Sequence, residues 1–218
     1  MIVDDKAKSL EESVLIRLEE EILSGKLKRG DTLTESSLTS RLGASRTPVR
    51  SALHRLAEEG LVEIAPNKGA VVVGVTAEDL IDIYKIRMRL EGLASREAAA
   101  RISEEDKKRL TDSVELSEFY IKKRDAEHLK ELDSEFHDII YKASGNRLLH
   151  KTLSDLHKKI KTYRKLSLSV TDRLEKSVEE HREILSAITS GNTDEADRLT
   201  ALHIESAMNN LISVFKES

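Results

Sequence analysis

The chain of 218 residues has no cysteine. That removes disulfides and thiolate metal ligands together, so any metal must be held by nitrogen and oxygen donors. Proline is nearly as scarce: the only two, Pro48 and Pro66, both lie in the first third of the chain. No apolar run approaches the ~20 residues a membrane span requires. The N-terminus, MIVDDKAKSLEES, lacks the cationic start and apolar centre of a signal peptide. The expectation is a soluble, unprocessed, cytoplasmic chain without a membrane partner. An excess of positive charge is also missing, since the net charge is −4. A nucleic-acid partner would therefore have to be met by a local basic surface. With 39% hydrophobic residues, the chain has enough apolar material for a substantial core.

What is present divides in two. Leu10, Val14, Leu15, Leu18 and Ile22 recur at helical spacing from Ser9 to Leu23, and SGKLKRGD then breaks the pattern. Thr34 can cap a short helix that ends at Gly43, and Ser45 can cap another that runs to about Glu59 and closes at Gly60. LVEIA and AVVVGV flank PNKG, which reads as a β-hairpin around a four-residue turn. From Thr76 onward everything reads as helix: roughly 76 to 101, 103 to 123, 125 to 143, 146 to 168, 171 to 190 and 193 to 216. Thr76 with Asp79 and Ser103 with Asp106 look like capping boxes with Asp in place of Glu. The expected fold is mainly α: a winged helix-turn-helix over residues 1–75, then a six-helix antiparallel bundle over 76–218.

In the third helix Val49, Ala52, Leu53 and Leu56 form the buried stripe. Arg46, Arg50 and His54, each four apart, must then share another face with Thr47 and Ser51. Pro48 sits in the first turn, where its missing N–H has no intrahelical partner anyway. Residues 41 to 55 hold Arg41, Arg46, Arg50 and Arg55 and no acid. The plain reading is a solvated face. However, a helix, a glycine turn, a second helix basic at its start and a following hairpin is also the arrangement that sets a recognition helix in the DNA major groove. Arginine there can reach guanine O6 and N7, while Thr47 and the helix-start amides at Ser45 can hold phosphates. Asn67 and Lys68 at the hairpin tip could reach phosphate or the minor groove, with Gly69 permitting the turn.

In the helical part, seven histidines are sorted by the apolar stripes. His181 lies within Leu174, Val178, Leu185 and Ile188, and His203 within Leu199, Ala207, Leu211 and Val214, so both should face inward. Asp133 and His137 form an i,i+4 pair beside Leu129, Leu132, Phe136 and Ile139. For any one of these a hydrogen-bonded buried side chain would suffice. An inward carboxylate with three histidines on neighbouring helices is a common way to hold a divalent cation. Zinc is the default for such donors, with nickel, manganese or iron open. His128, His150 and His157 have weaker claims, standing among charged or helix-end residues.

Residues Ile22 to Val73, centred on GKLKRGDTLTESSLTSRLGASRTPVRSALHRLAEEGLV, resemble the winged helix-turn-helix of the GntR family of bacterial transcription regulators. The resemblance implies a homodimer on a palindromic operator, with Arg46 and Arg50 at the guanine-reading positions and Thr47 at a backbone contact. The chain departs from the family at LKRGD, which lacks the usual proline, and at Ser51, where an acid is common. Residues 76 to 216 resemble the FCD domain of the FadR subfamily, in its six-helix VanR-like, metal-binding branch. LDSEFHDII, EEHREIL and ALHIESAM put Asp133, His137, His181 and His203 on that branch's metal ligands. KIRMRLEG and the SGN of Ser144 to Asn146 also match, which implies Arg87 and Asn146 as effector-pocket residues. Their plain readings are a helix-surface ion pair with Glu91 and a helix cap. The resemblance further implies a small organic-acid effector and, by family base rate, a repressor released by it. Two other readings compete: a metal-dependent hydrolase, which leaves the arginine cluster unexplained, and a regulator whose metal is purely structural.

Overall fold

The computed structural model describes residues 2–65, 69–74, 76–164 and 171–217. The chain forms two compact units, Met1–Thr76 and Ala77–Ser218.

The first unit runs α1 (Ile2–Leu23), β1 (Thr32–Leu33), α2 (Glu35–Leu42), α3 (Arg46–Glu58), β2 (Val62–Ala65) and β3 (Gly69–Val72). Helix α1 starts well before Ser9, because residues 2–8 contain neither glycine nor proline to stop it. Leu15, Leu18 and Ile22 of α1 and Val49, Ala52, Leu53 and Leu56 of α3 are buried, and the two helices pack on each other. The turn between α2 and α3 is locally encoded. Thr34 Oγ1 accepts from the Ser37 amide at 3.2 Å, and Gly43 takes a left-handed conformation, φ 65°, that ends α2. Beyond α3, Gly60 N–H bonds to Ala57 O (3.0 Å) and Leu61 N–H to Leu56 O (2.9 Å), the two closing bonds of a glycine-terminated helix.

The sheet has one strand more than the sequence pattern suggests. β2 and β3 pair antiparallel from Val62↔Val72 to Ala65↔Gly69, so Gly69 belongs to a strand and the connection is residues 66–68, not a four-residue turn. On its other edge β3 pairs with β1, through Thr32↔Val71 and Leu33↔Ala70, giving the order β1-β3-β2. Two residues are too few to display a period of two, so β1 leaves no pattern. Gly69 (φ 87°) is required here: a Cβ would stand 2.2 Å from Leu33 O.

The second unit is a bundle of α4 (Ala77–Arg101), α5 (Glu104–Lys123), α6 (Ala126–Ala143), α7 (Arg147–Arg164), α8 (Thr171–Thr189) and α9 (Thr193–Glu217). Ser103 accepts from the Asp106 amide at 3.1 Å and its hydroxyl donates to Asp106 Oδ2 at 2.8 Å, completing the box in front of α5. The stretch expected to close the fourth helix of this unit, 165–168, lies outside the described residues. Helix α4 runs close beside α9 because the contact is built of small groups. A Cβ on Gly92 would meet Asp197 Oδ1 at 2.2 Å, Ala94, Ala98 and Ala196 are fully buried, and Thr200 Oγ1 donates to Ser95 Oγ at 2.7 Å. Phe136, Ile139 and Ile140 of α6 pack with Leu153 of α7 and with Ile184 and Ile188 of α8 in the core. That packing presents one face of α6 to α8 and α9. None of the described helices is long and apolar enough to cross a membrane.

Candidate metal centre and nucleic-acid interface

Arg46, Thr47, Arg50, Ser51 and His54 line one concave stretch of surface, on the side of α3 opposite its buried stripe. Ser45, Arg46, Thr47, Arg50 and His54 are exposed. Ser45 occupies the cap position in extended conformation, but its hydroxyl makes no capping hydrogen bond, and the first turn carries no acid. The helix start therefore offers its unpaired amides, the positive end of its dipole and a hydroxyl to an anion. Asn67 and Lys68 lie outside the described residues. Gly69 is accounted for by the approach of β1 and needs no ligand to explain it.

The arginines are less free than the acid-free stretch implies, because acids distant in sequence come to them. Arg41 Nη1 is 2.6 Å from Glu21 Oε2, a carboxylate only 7% exposed. Arg41 thereby ties α2 to α1 while staying partly exposed. Arg55 is 2.6 Å from Glu12. Arg50 donates through Nε and Nη2 to the two oxygens of Glu35 at 2.7 and 3.0 Å, a bidentate pair that remains solvent-facing.

In the second unit Asp133 and His137 of α6, His181 of α8 and His203 of α9 meet. Each offers a ligand atom, and these atoms all lie within 4.8 Å of one another. His181 Nε2 is 3.3 Å from His203 Nε2 and 3.8 Å from Asp133 Oδ1. Two nitrogens held tetrahedrally at about 2.0–2.1 Å from one zinc ion stand about 3.3–3.4 Å apart, so the histidine pair already has the spacing of two ligands. The three histidines are 2–3% exposed and Asp133 9%.

Two carboxylates outside the cluster lie against its rings. His137 Nδ1 is 3.0 Å from Glu91 Oε2 of α4, and His203 Nδ1 is 2.7 Å from Glu180 Oε2 of α8, itself 2.8 Å from Arg173 Nη1. With its Nδ1–H donated to Glu180, His203 keeps an Nε2 lone pair for the centre, while Glu91 Oε2, close to His137 but without a hydrogen bond among the described residues, places a negative charge beside that ring. Phe136 stacks on His181 with centroids 4.0 Å apart and fixes the third ring. Burial, followed by the charge of His203, pushes the His181 pKa well below its ordinary value. Burial also lowers His203 to about 4, even though Glu180 pulls the other way. Both rings are thus neutral near pH 7, the form that binds metal. This set of donors could hold a divalent ion.

Beside it, Arg87 and Glu91 form an ion pair at 2.7 Å with both side chains 1% exposed. The helix-surface reading of this pair is therefore wrong. Burial opposes the charge of Glu91, but Arg87 and His137 more than offset it and hold its pKa far below the carboxylate norm. Arg87 stands 5.0 Å over the Tyr84 ring. Arg87 Nη1, Tyr84 Oη and His157 Nδ1 are buried with no hydrogen-bond partner among the described residues. Asn146 does not join them. It is exposed, and its Oδ1 accepts from the Leu149 amide at 3.0 Å, so it caps α7. His128 pairs with Asp125 at 2.7 Å and His150 with Asp138 at 3.0 Å, away from the ligand set. His157 lies at the rim, its ring 5.5 Å from that of His137, and burial, then His137, lowers its pKa to about 3. Glu180, Tyr84 and Glu35 escape sequence reasoning, because side-chain pairing between helices has no period to detect.

The comparisons with known proteins follow this division. Residues 10–72 match the family of bacterial regulatory proteins called gntR, and residues 82–206 match the FCD domain. The HTH-type transcriptional regulator YdhC of Bacillus subtilis is 30% identical over 203 residues, 92% of this chain and 90% of that protein. The HTH-type transcriptional repressor RspR of Escherichia coli is 25% identical over 189 residues, 87% of this chain and 83% of that one. The solved structure of E. coli McbR/YncC shares the fold, with a TM-score of 0.67 at 24% identity, covering 95% of this chain and 98% of that one. An enzyme is thereby set aside: the chain belongs to the GntR family of bacterial regulatory proteins, a DNA-binding transcriptional regulator with an FCD domain.

Proposed function

We propose that the chain is a cytoplasmic, homodimeric repressor whose operator affinity is set by a small carboxylate effector bound at a divalent metal in the second unit. Asp133, His137, His181 and His203 would hold the ion, and Arg46, Thr47 and Arg50 would meet a palindromic operator. The observation that carries this is the convergence of four candidate ligand atoms within 4.8 Å, with His203 Nδ1 hydrogen-bonded to Glu180 and His137 Nδ1 3.0 Å from Glu91. Three imidazoles and one carboxylate favour zinc, while nickel and manganese accept the same donors. A bound ion would supply a Lewis-acidic centre for one oxygen of the effector.

The rest of the recognition belongs to the protein. Arg87 Nη1 and Tyr84 Oη are buried donors without an acceptor among the described residues, and Glu91, paired with Arg87, also lies 3.0 Å from His137. Leaving such groups unsatisfied costs about 1–3 kcal/mol each, more for a charged one. An organic acid placed there would relieve that cost. The effector would lower operator affinity by favouring dimer arrangements that no longer match the half-site spacing.

The competing reading, a purely structural metal, is favoured by one feature: four protein ligands fill a tetrahedron, as closed structural sites do. Operator affinity of the zinc-loaded protein, measured with and without a panel of hydroxy acids and sugar acids, separates the two. The expected result is that at least one acid weakens binding about tenfold or more, a coupling of ~1.4 kcal/mol, and that chelation abolishes the response. A response identical in the chelated protein would contradict the effector-receptor role.

A further inference from the structure

Arg46 and Arg50 sit one turn apart on the same exposed face of α3, yet they are held differently. Glu35, the first residue of α2, takes Nε–H and one Nη2–H of Arg50 in a two-point bond of 2.7 and 3.0 Å. Arg46 has no comparable ion pair among the described residues. The pair is not needed to bury anything, since Arg50 is 63% and Glu35 28% exposed, and surface pairs contribute little to stability. What the pair does fix is direction. A guanidinium has five N–H donors in a rigid fork. With its side edge bound to Glu35, Arg50 keeps three: two on Nη1 and one on Nη2. Its end edge, one N–H from each terminal nitrogen, is the fork that spans guanine O6 and N7.

Resting on the reading of α3 as the base-reading helix, we infer that Glu35 is a positioning residue that determines specificity for guanine through Arg50. It presents the end fork of Arg50 to the groove and removes the alternative edges by which a mobile arginine would grip phosphates without regard to sequence. Its negative charge also repels the phosphate backbone, so it lowers affinity for DNA in general while raising selectivity.

The test is selection from randomised duplex DNA by the full chain, followed by affinity measurements on the selected duplex, on its guanine-to-adenine variants and on random duplex. Wild type, Glu35→Gln, Arg50→Ala and the double variant are compared. Glu35→Gln should relax the base preference at one guanine per half-site by about tenfold, the order of one lost bidentate discrimination. It should also bind random duplex more tightly than wild type. In the Arg50→Ala background the same change should leave selectivity where Arg50→Ala puts it. Unchanged guanine preference in Glu35→Gln, or a uniform loss of affinity for all duplexes, overturns the positioning role. Unchanged preference in Arg50→Ala overturns instead the assignment of Arg50 to base reading, and the inference with it.

Discussion

The exposed face of α3 and the buried junction of α6, α8 and α9 solve opposite problems with titratable side chains. On α3 the groups stay charged and in water, and the acids that meet Arg41, Arg50 and Arg55 leave one face open along Arg46, Thr47 and Arg50. At the helix junction three imidazoles are stripped of water. Burial depresses the pKa of His181 and His203, while Glu180, bonded to the far nitrogen of His203, aims that ring and Glu91 lies 3.0 Å from His137 Nδ1. In one region the partners of a charge decide how much of it a ligand can reach. In the other they decide which lone pair is offered and to what.

The comparison can be broken at either end. The largest effect is expected from His181→Ala, which should abolish stoichiometric zinc binding, read as zinc per chain, while the metal-free protein still binds its operator. Next comes Arg50→Ala, which should weaken specific operator binding by about 1–3 kcal/mol and leave zinc content unchanged. Undiminished affinity in that variant would remove Arg50 from the interface.

Smaller effects test the outer residues. Glu180→Gln retains shape but loses the charge against His203 Nδ1. Competition with a chelator of known strength should read a fall of about 10- to 100-fold in zinc affinity. His150→Ala removes a ring bonded to Asp138 outside the ligand set and should leave both zinc and operator binding at wild-type values. A loss of zinc in this last variant would mean that the ligands have been misassigned.

Much of this was legible in the sequence, and the parts that were not share a cause. Helical periodicity separates Val49, Leu53 and Leu56 from Arg46 and Arg50, and it turns His181 and His203 inward, because burial follows the 3.6-residue repeat. Asp133, His137, His181 and His203 come together because the stripes that carry them also build the core. Distance across the chain is invisible to such a pattern. Arg41 looks free along the sequence and is bound to Glu21. Arg87 and Glu91, spaced like a surface pair, are fully buried because α4 is covered by the helices packed on it. Asn146 has the residue type and position of a cap, and its Oδ1 accepts from the Leu149 amide as a cap does. Strand β1 is simply too short to leave a period.

The central claim is that Asp133, His137, His181 and His203 form one metal centre, and the most direct measurement is X-ray absorption at the zinc edge of the stoichiometrically loaded protein. The expected first shell is three imidazole nitrogens at about 2.0–2.1 Å and a carboxylate oxygen at about 2.0–2.2 Å. A shell of oxygens alone, or one with fewer than three imidazoles, would contradict it.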